Sequence, residues 1–189
     1  MNTFEPYFSL GWHHILDIHA LDHLLFMGAL LAVFEFTHWK RILILLTAFT
    51  LGHGLAMLIA LTQLFRITNA WVEFLIPLTI LITSIHHLIQ GAKGDRLMYV
   101  MTLLFGIVHG LAYSQGFVDL FANSDGYVMA ALGFNLGVEV GQLAFALIFL
   151  VLMEILSRIR GLDRKSIRLF LYGIIITLSL QLLIENWIF

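Results

Sequence analysis

The string His53-Gly-Leu-Ala56 recurs as His109-Gly-Leu-Ala112, each time deep inside an apolar stretch. A third group of the same chemistry precedes them: His14, Asp17, His19, Asp22 and His23 fall within ten residues. A fourth follows, with Asn135, Glu139 and Gln142 on one short segment. An ionisable side chain in hydrocarbon costs roughly 2.5 kcal/mol or more, and usually marks a functional site. Imidazole and carboxylate together are the donor set of a first-row divalent metal. Asp22, His23, His53, His109 and Glu139 are therefore the leading candidate ligands, and Glu139 is the candidate general base if the site is catalytic.

Spacing sharpens some of these candidates. His19, Asp22 and His23 are related by i+3 and i+4, so one continuous helix carries them on one face. His14 and Asp17 then lie a turn or two above, as a second tier or as interfacial residues. Asn135, Glu139 and Gln142 fall within about 60° of one another at 100° per residue. Gly133, Gly137 and Gly141 lie roughly opposite, where small residues let helices approach closely. Gly106 and Gly110 offer a similar edge. Glu73 is either a ligand or an interfacial carboxylate. His86, beside His87, is either an inner station for an ion or a headgroup-level residue. The plainer reading of each HGLA histidine is a hydrogen bond to a backbone carbonyl. The plainer reading of Met27, Met57 and Met98 is apolar packing.

Elements that position these residues follow from composition. Of 189 residues 60% are hydrophobic and 12% charged, against about 25% charged in a soluble domain. The expected fold is all-α, a single transmembrane domain over 1–189 with six spanning helices near 13–36, 41–65, 71–91, 97–117, 127–156 and 167–188. Net charge is −2, which provides no basic footprint for nucleic acid. There is no cysteine, which excludes disulfides, thiolate metal sites and cysteine nucleophiles. The N-terminus has no basic region followed by a cleavage site, so no signal peptide is expected. Nine of the ten Lys and Arg residues fall on one side of this topology and Arg66 alone on the other. The positive-inside rule therefore places both termini outside the cytoplasm. At 1.5 Å per residue, His53 and His109 lie roughly 18 Å from the inner side. Asp22 lies roughly 15 Å, and Glu139 roughly 18 Å, from the outer side. All four approach the middle of a bilayer core of about 30 Å.

The strings HILDIHALDHLLF (14–26), LLTAFTLGHGLAM (45–57), WVEFLIPLTI (71–80), LLFGIVHGLAY (103–113) and LGFNLGVEVGQL (132–143) resemble the HupE/UreJ family of integral membrane proteins, in the family's order. The resemblance implies a bacterial cytoplasmic (inner) membrane protein of the nickel or cobalt permease type, linked to the maturation of hydrogenase or urease. It puts functional weight on Asp22, His23, His53, His109 and Glu139, and less on Asn135. This chain has Gly54 where relatives often carry serine after the histidine. It has no glycine directly before Asp22-His23.

The reading that results is passage or delivery of a divalent transition metal, nickel or cobalt first, with zinc, iron and copper left open. The partners expected are the lipid bilayer, the metal ion, metalloenzyme-maturation proteins and a second copy in a homo-oligomer. Two other classes remain: a membrane metalloenzyme holding zinc or iron, and an accessory protein that senses or hands over metal without transporting it.

Overall fold

Hydrophobic length alone accounts for most of the architecture of the computed structural model. It describes residues 4–17, 21–62, 68–92, 96–121 and 126–188. The described residues hold seven α-helices and no strand: α1 (Phe4–Leu16), α2 (Leu21–Leu31), α3 (Trp39–Leu61), α4 (Asn69–Gln90), α5 (Arg96–Phe121), α6 (Tyr127–Ser157) and α7 (Arg164–Glu185). A 3₁₀ turn, Phe36–His38, leads into α3. Five of these helices are long and apolar enough to cross a membrane, and α1 with α2 make a sixth if that pair counts as one bent span.

The first span departs from expectation. One helix over 13–36 is replaced by α1 and α2, bent by 69° relative to each other. The apolar pattern runs on through this region, so periodicity does not announce the break. The carboxylates do favour it. A continuous helix would bury Asp17 and Asp22 mid-helix, whereas the break places Asp22 in the first turn of α2, where the helix dipole favours negative charge. The one-face argument for His19, Asp22 and His23 lapses with the continuous helix. His19 lies outside the described residues.

Glycines set the two closest packings. Helix α1 lies along α6, and a Cβ at Gly137 would collide with the Phe8 carbonyl oxygen. At Gly133 it would stand 2.6 Å from Phe4 O, and at Gly141 3.1 Å from Ile15 Cβ. Helix α3 lies along α5 in the same way, with Gly110 against His53 O at 2.6 Å and Gly106 against Phe49 O. The predicted small-residue edges are thus contact edges. They bring backbones, and the side chains flanking them, into close apposition.

Basic connections gather at one end. Arg41 Nη1 donates to Ala92 O (3.0 Å). Arg164 donates to Phe34 O (2.7 Å) and to Glu154 Oε2 (3.4 Å). These contacts tie together the segments entering α3, leaving α4 and entering α7. Asp163 caps α7 by accepting from Ser166 N–H (3.2 Å).

Candidate metal centre

Three helix contacts place four imidazoles together. His14 is in the last turn of α1, His23 in the first turn of α2, His53 mid-way along α3 and His109 mid-way along α5. The α1–α6 packing fixes the height of His14. The α3–α5 packing sets His53 beside His109. The bend between α1 and α2 then returns His23 to both. Ring centroids are 4.6 Å apart for His14–His23, 5.9 Å for His14–His53, 6.3 Å for His23–His53 and 5.2 Å for His23–His109. His53 and His109 are fully buried and His23 is 3% exposed.

Two ligand triads share His23. Donor atoms of His14, His23 and His53 lie within 4.8 Å of one another, and so do those of Asp22, His23 and His109. Donors on one tetrahedral ion stand roughly 3.4 Å apart, given metal–nitrogen bonds of about 2.1 Å. Both triads therefore lie within reach of a single ion each, after at most small side-chain rotations.

The nitrogens turned away from the cluster decide which lone pairs face it. His23 Nδ1 donates to Asp22 Oδ1 (3.2 Å), which also accepts from His23 N–H (2.9 Å). Asn135 spends its amide protons on Ala131 O (2.8 Å) and Met57 Sδ (3.5 Å), so its Oδ1 accepts from His53 Nδ1–H (3.4 Å). Thr79 gives its hydroxyl proton to Ile76 O (2.7 Å) and accepts from His109 Nε2–H (3.1 Å). A neutral imidazole carries one N–H. The remaining atoms, His23 Nε2, His53 Nε2 and His109 Nδ1, thus hold lone pairs. These three, with His14 Nε2, are buried and have no hydrogen-bond partner. Buried polar atoms in folded proteins are ordinarily satisfied. Four orphaned imidazole nitrogens on neighbouring rings, three of them backed by a hydrogen bond at the opposite nitrogen, fit the donor set of a bound metal ion.

Aromatic rings wall the cluster off. Phe49 lies 5.3 Å from His109 and 6.2 Å from His23, Phe26 5.1 Å from His109, and Phe134 stacks on His53 at 5.8 Å. On one side the wall opens. A vestibule of about 430 Å³ is lined by Leu10, His13, His14, Leu16, Asp17 and Tyr113. The Tyr113 ring is 4.6 Å from His14, which lines both vestibule and cluster. Tyr113 is seventeen residues along α5 from Arg96, roughly 26 Å, so the vestibule faces the end away from the basic connections.

The other predicted residues are dispersed. Glu139 belongs to neither triad. It lines a lateral groove of about 700 Å³ between α3 and α6, with Thr47, Thr50 and Asn135 among leucines. Its Oε1 accepts from Thr47 (2.7 Å) and its Oε2 is buried without a partner. Gln142 Oε1 accepts from Thr50 (3.1 Å). Glu73 is exposed on the first turns of α4. Asp17 is exposed in the vestibule. His86 is half-buried towards the far end of α4, with His87 beside it and fully enclosed. Asn135, ranked behind the ligands from sequence, is the hydrogen-bond partner of one. Thr79, Tyr113 and Phe134 were missed altogether. A threonine two residues after Pro77 in an apolar helix was the only sign for the first.

Gly54 also finds its explanation here. A Cβ at this position would stand 3.1 Å from Asn135 Oδ1, so the absence of a side chain admits the amide that supports His53.

Helices of spanning length around a buried histidine cluster define a multi-pass membrane protein with a candidate metal site. A model of the family described as HupE / UreJ protein matches residues 1–188, and the chain belongs to that family. Membership implies a nickel- or cobalt-related accessory or transport role. No curated protein and no solved structure matched the chain.

Proposed function

We propose that this protein binds a divalent transition metal ion, nickel or cobalt first, at the four-histidine cluster and passes it across the cytoplasmic membrane. The observation that carries this reading is a pair of triads that share His23, His14–His23–His53 and Asp22–His23–His109, with His14 Nε2, His23 Nε2, His53 Nε2 and His109 Nδ1 all buried and unpartnered. The ion is taken up in the vestibule of His13, His14 and Asp17. In the cluster, imidazoles replace its water shell. Neutral nitrogen donors favour nickel, cobalt, zinc or copper over magnesium and calcium, and the Asp22 carboxylate offsets part of the charge. Glu139 is kept as a ligand in transit, its buried Oε2 one turn along α6 from Asn135. In this reading both chain termini lie outside and the basic connections inside, following the Lys and Arg asymmetry.

The test is binding and uptake measured together. Purified wild-type protein should bind one nickel or cobalt ion per cluster, and His53→Ala and His109→Ala should lose it. Cells expressing the variants at equal protein level should accumulate less radioactive nickel and cobalt. Wild-type accumulation by both variants would sink the proposal.

One observation favours a second reading, a membrane metalloenzyme. The lateral groove brings a lipid-facing space to Asn135 and Glu139, beside the helix that carries His53. An apolar substrate in that groove would meet Glu139 as general base near a metal-activated water. The two readings part on exchange: a metal that survives prolonged chelation of the purified protein supports the enzyme, and rapid release supports passage.

A further inference from the structure

Three phenylalanines stand one helical turn from three histidines of the cluster, all on the same side. Phe26 follows His23 on α2, Phe49 precedes His53 on α3 and Phe105 precedes His109 on α5. Spacings of three or four residues keep each phenylalanine on the helix face that carries its histidine. Helix α2 runs towards the basic end, where Phe34 O meets Arg164, while α3 and α5 start there and run away from it. All three phenylalanines therefore lie on the inner side of their histidines.

The rings close on one another. The centroid of the Phe26 ring is 4.9 Å from that of Phe49 and 6.2 Å from that of Phe105. It is also 5.1 Å from the His109 ring, so the collar sits directly beneath the imidazoles. Phe26 and Phe49 are fully buried and Phe105 is half-buried. One turn further in, Leu30 on α2 and Leu45 on α3 are buried as well. The outer side of the cluster is the opposite: His14 borders a vestibule lined by His13 and Asp17. The cluster is thus open at one end and plugged by hydrocarbon at the other.

We propose that Phe26, Phe49 and Phe105 are the inner gate of the metal path, with Phe26 as its moving plug. The inference rests on the reading of the cluster as a site of passage and adds how that passage is regulated. A hydrated divalent ion cannot cross the closed collar. Its rings offer no oxygen or nitrogen in exchange for the ion's waters, and an apolar constriction excludes water itself. Passage requires the collar to part. Helix α2 is placed to part it, because Asp22, His23 and Phe26 lie within five residues of chain. A shift of α2 that follows the ion carries the plug with the ligands. The path then opens to the vestibule or to the basic end, but not to both at once.

Proton leak tests the collar, because a file of water conducts protons whether or not metal is bound. The protein is reconstituted into lipid vesicles that hold a pH-sensitive dye, in metal-free buffer, with the membrane potential clamped by potassium and valinomycin. Phe26→Ser, small and polar, should raise the leak several-fold over wild type, whereas Phe26→Leu, which keeps an apolar plug, should not. Phe105→Ser should leak in the same way, and its less buried position guards against loss of the fold. Phe74→Ser removes a ring that packs on Trp187 at the outer ends of α4 and α7, and should leave the vesicles tight. Wild-type tightness in both Phe26→Ser and Phe105→Ser overturns the proposal, as does an equal leak in Phe74→Ser. Nickel binding and influx in the same vesicles separate the two claims. Wild-type protein that neither binds nor admits nickel, with the leak confined to the collar variants, would count against the proposed function and not against the collar as the barrier.

Discussion

Thr79 Oγ1 lies 3.1 Å from His109 Nε2 while giving its own proton to Ile76 O. The hydroxyl can therefore only accept from the imidazole, and that contact fixes which nitrogen of His109 faces the cluster. Replacing Thr79 by valine keeps the shape and removes the acceptor. Thr79→Val should weaken nickel or cobalt binding about 10- to 100-fold, the usual loss for an outer-shell partner of a histidine ligand. Thr79→Ser should restore most of it. Titration calorimetry on the purified variants checks this, with ¹⁵N chemical shifts of His109 reporting the tautomer. Equal affinity in wild type and Thr79→Val would remove Thr79 from the site.

His14 enters the cluster only because α1 lies flat against α6. Gly137→Ala puts a methyl group into the Phe8 carbonyl and must push α1 away. Overpacking of this kind destabilises by about 1–3 kcal/mol. Melting in detergent should fall accordingly. X-ray absorption of the metal-loaded variant should show one imidazole fewer than wild type.

Metal and protons compete for the same four nitrogens. Binding requires the neutral imidazole, so each ligand acquired by the ion excludes a proton. Affinity should fall as pH is lowered, with a slope of log K against pH that increases with the number of histidines engaged. His14→Ala and His109→Ala should each reduce the slope. Slopes that stay equal in wild type, His14→Ala and His109→Ala across the pH range in which the metal-free imidazoles take up protons would count against histidine ligation.

The absence of cysteine makes the topology directly testable. Ser9→Cys and Ser157→Cys place single thiols on α1 and at the end of α6 beside the basic α6–α7 connection. A membrane-impermeant maleimide should label the first in intact cells and the second only after lysis. The reverse pattern would invert the orientation proposed from the Lys and Arg distribution.

Much of the fold was legible because hydrocarbon imposes a simple rule: long apolar runs must close their backbone hydrogen bonds within helices. Five of the spans expected from length appear as helices with ends shifted by a few residues. The glycine edges of α5 and α6 were also readable, since small residues at four-residue spacing imply a close contact whatever the partner. His53 and His109 could be paired by depth alone because each lies mid-helix on a helix of the same direction.

Sequence by itself thus determined the class of protein, the number of long apolar segments and the stock of ligand-forming side chains. Only the tertiary structure decided which of them meet. The bend of 69° between α1 and α2 brings His14 to His23, and no periodicity encodes it because the apolar residues between the polar ones run on at helical spacing. The rotation of α6 is set by its glycine face against α1, which leaves Asn135 on His53 and Glu139 in the lateral groove. Thr79 reaches His109 from a helix with no other stake in the cluster. Depth follows from counting residues along one helix, whereas convergence depends on how several helices rotate and pack, and that is a property of their contacts.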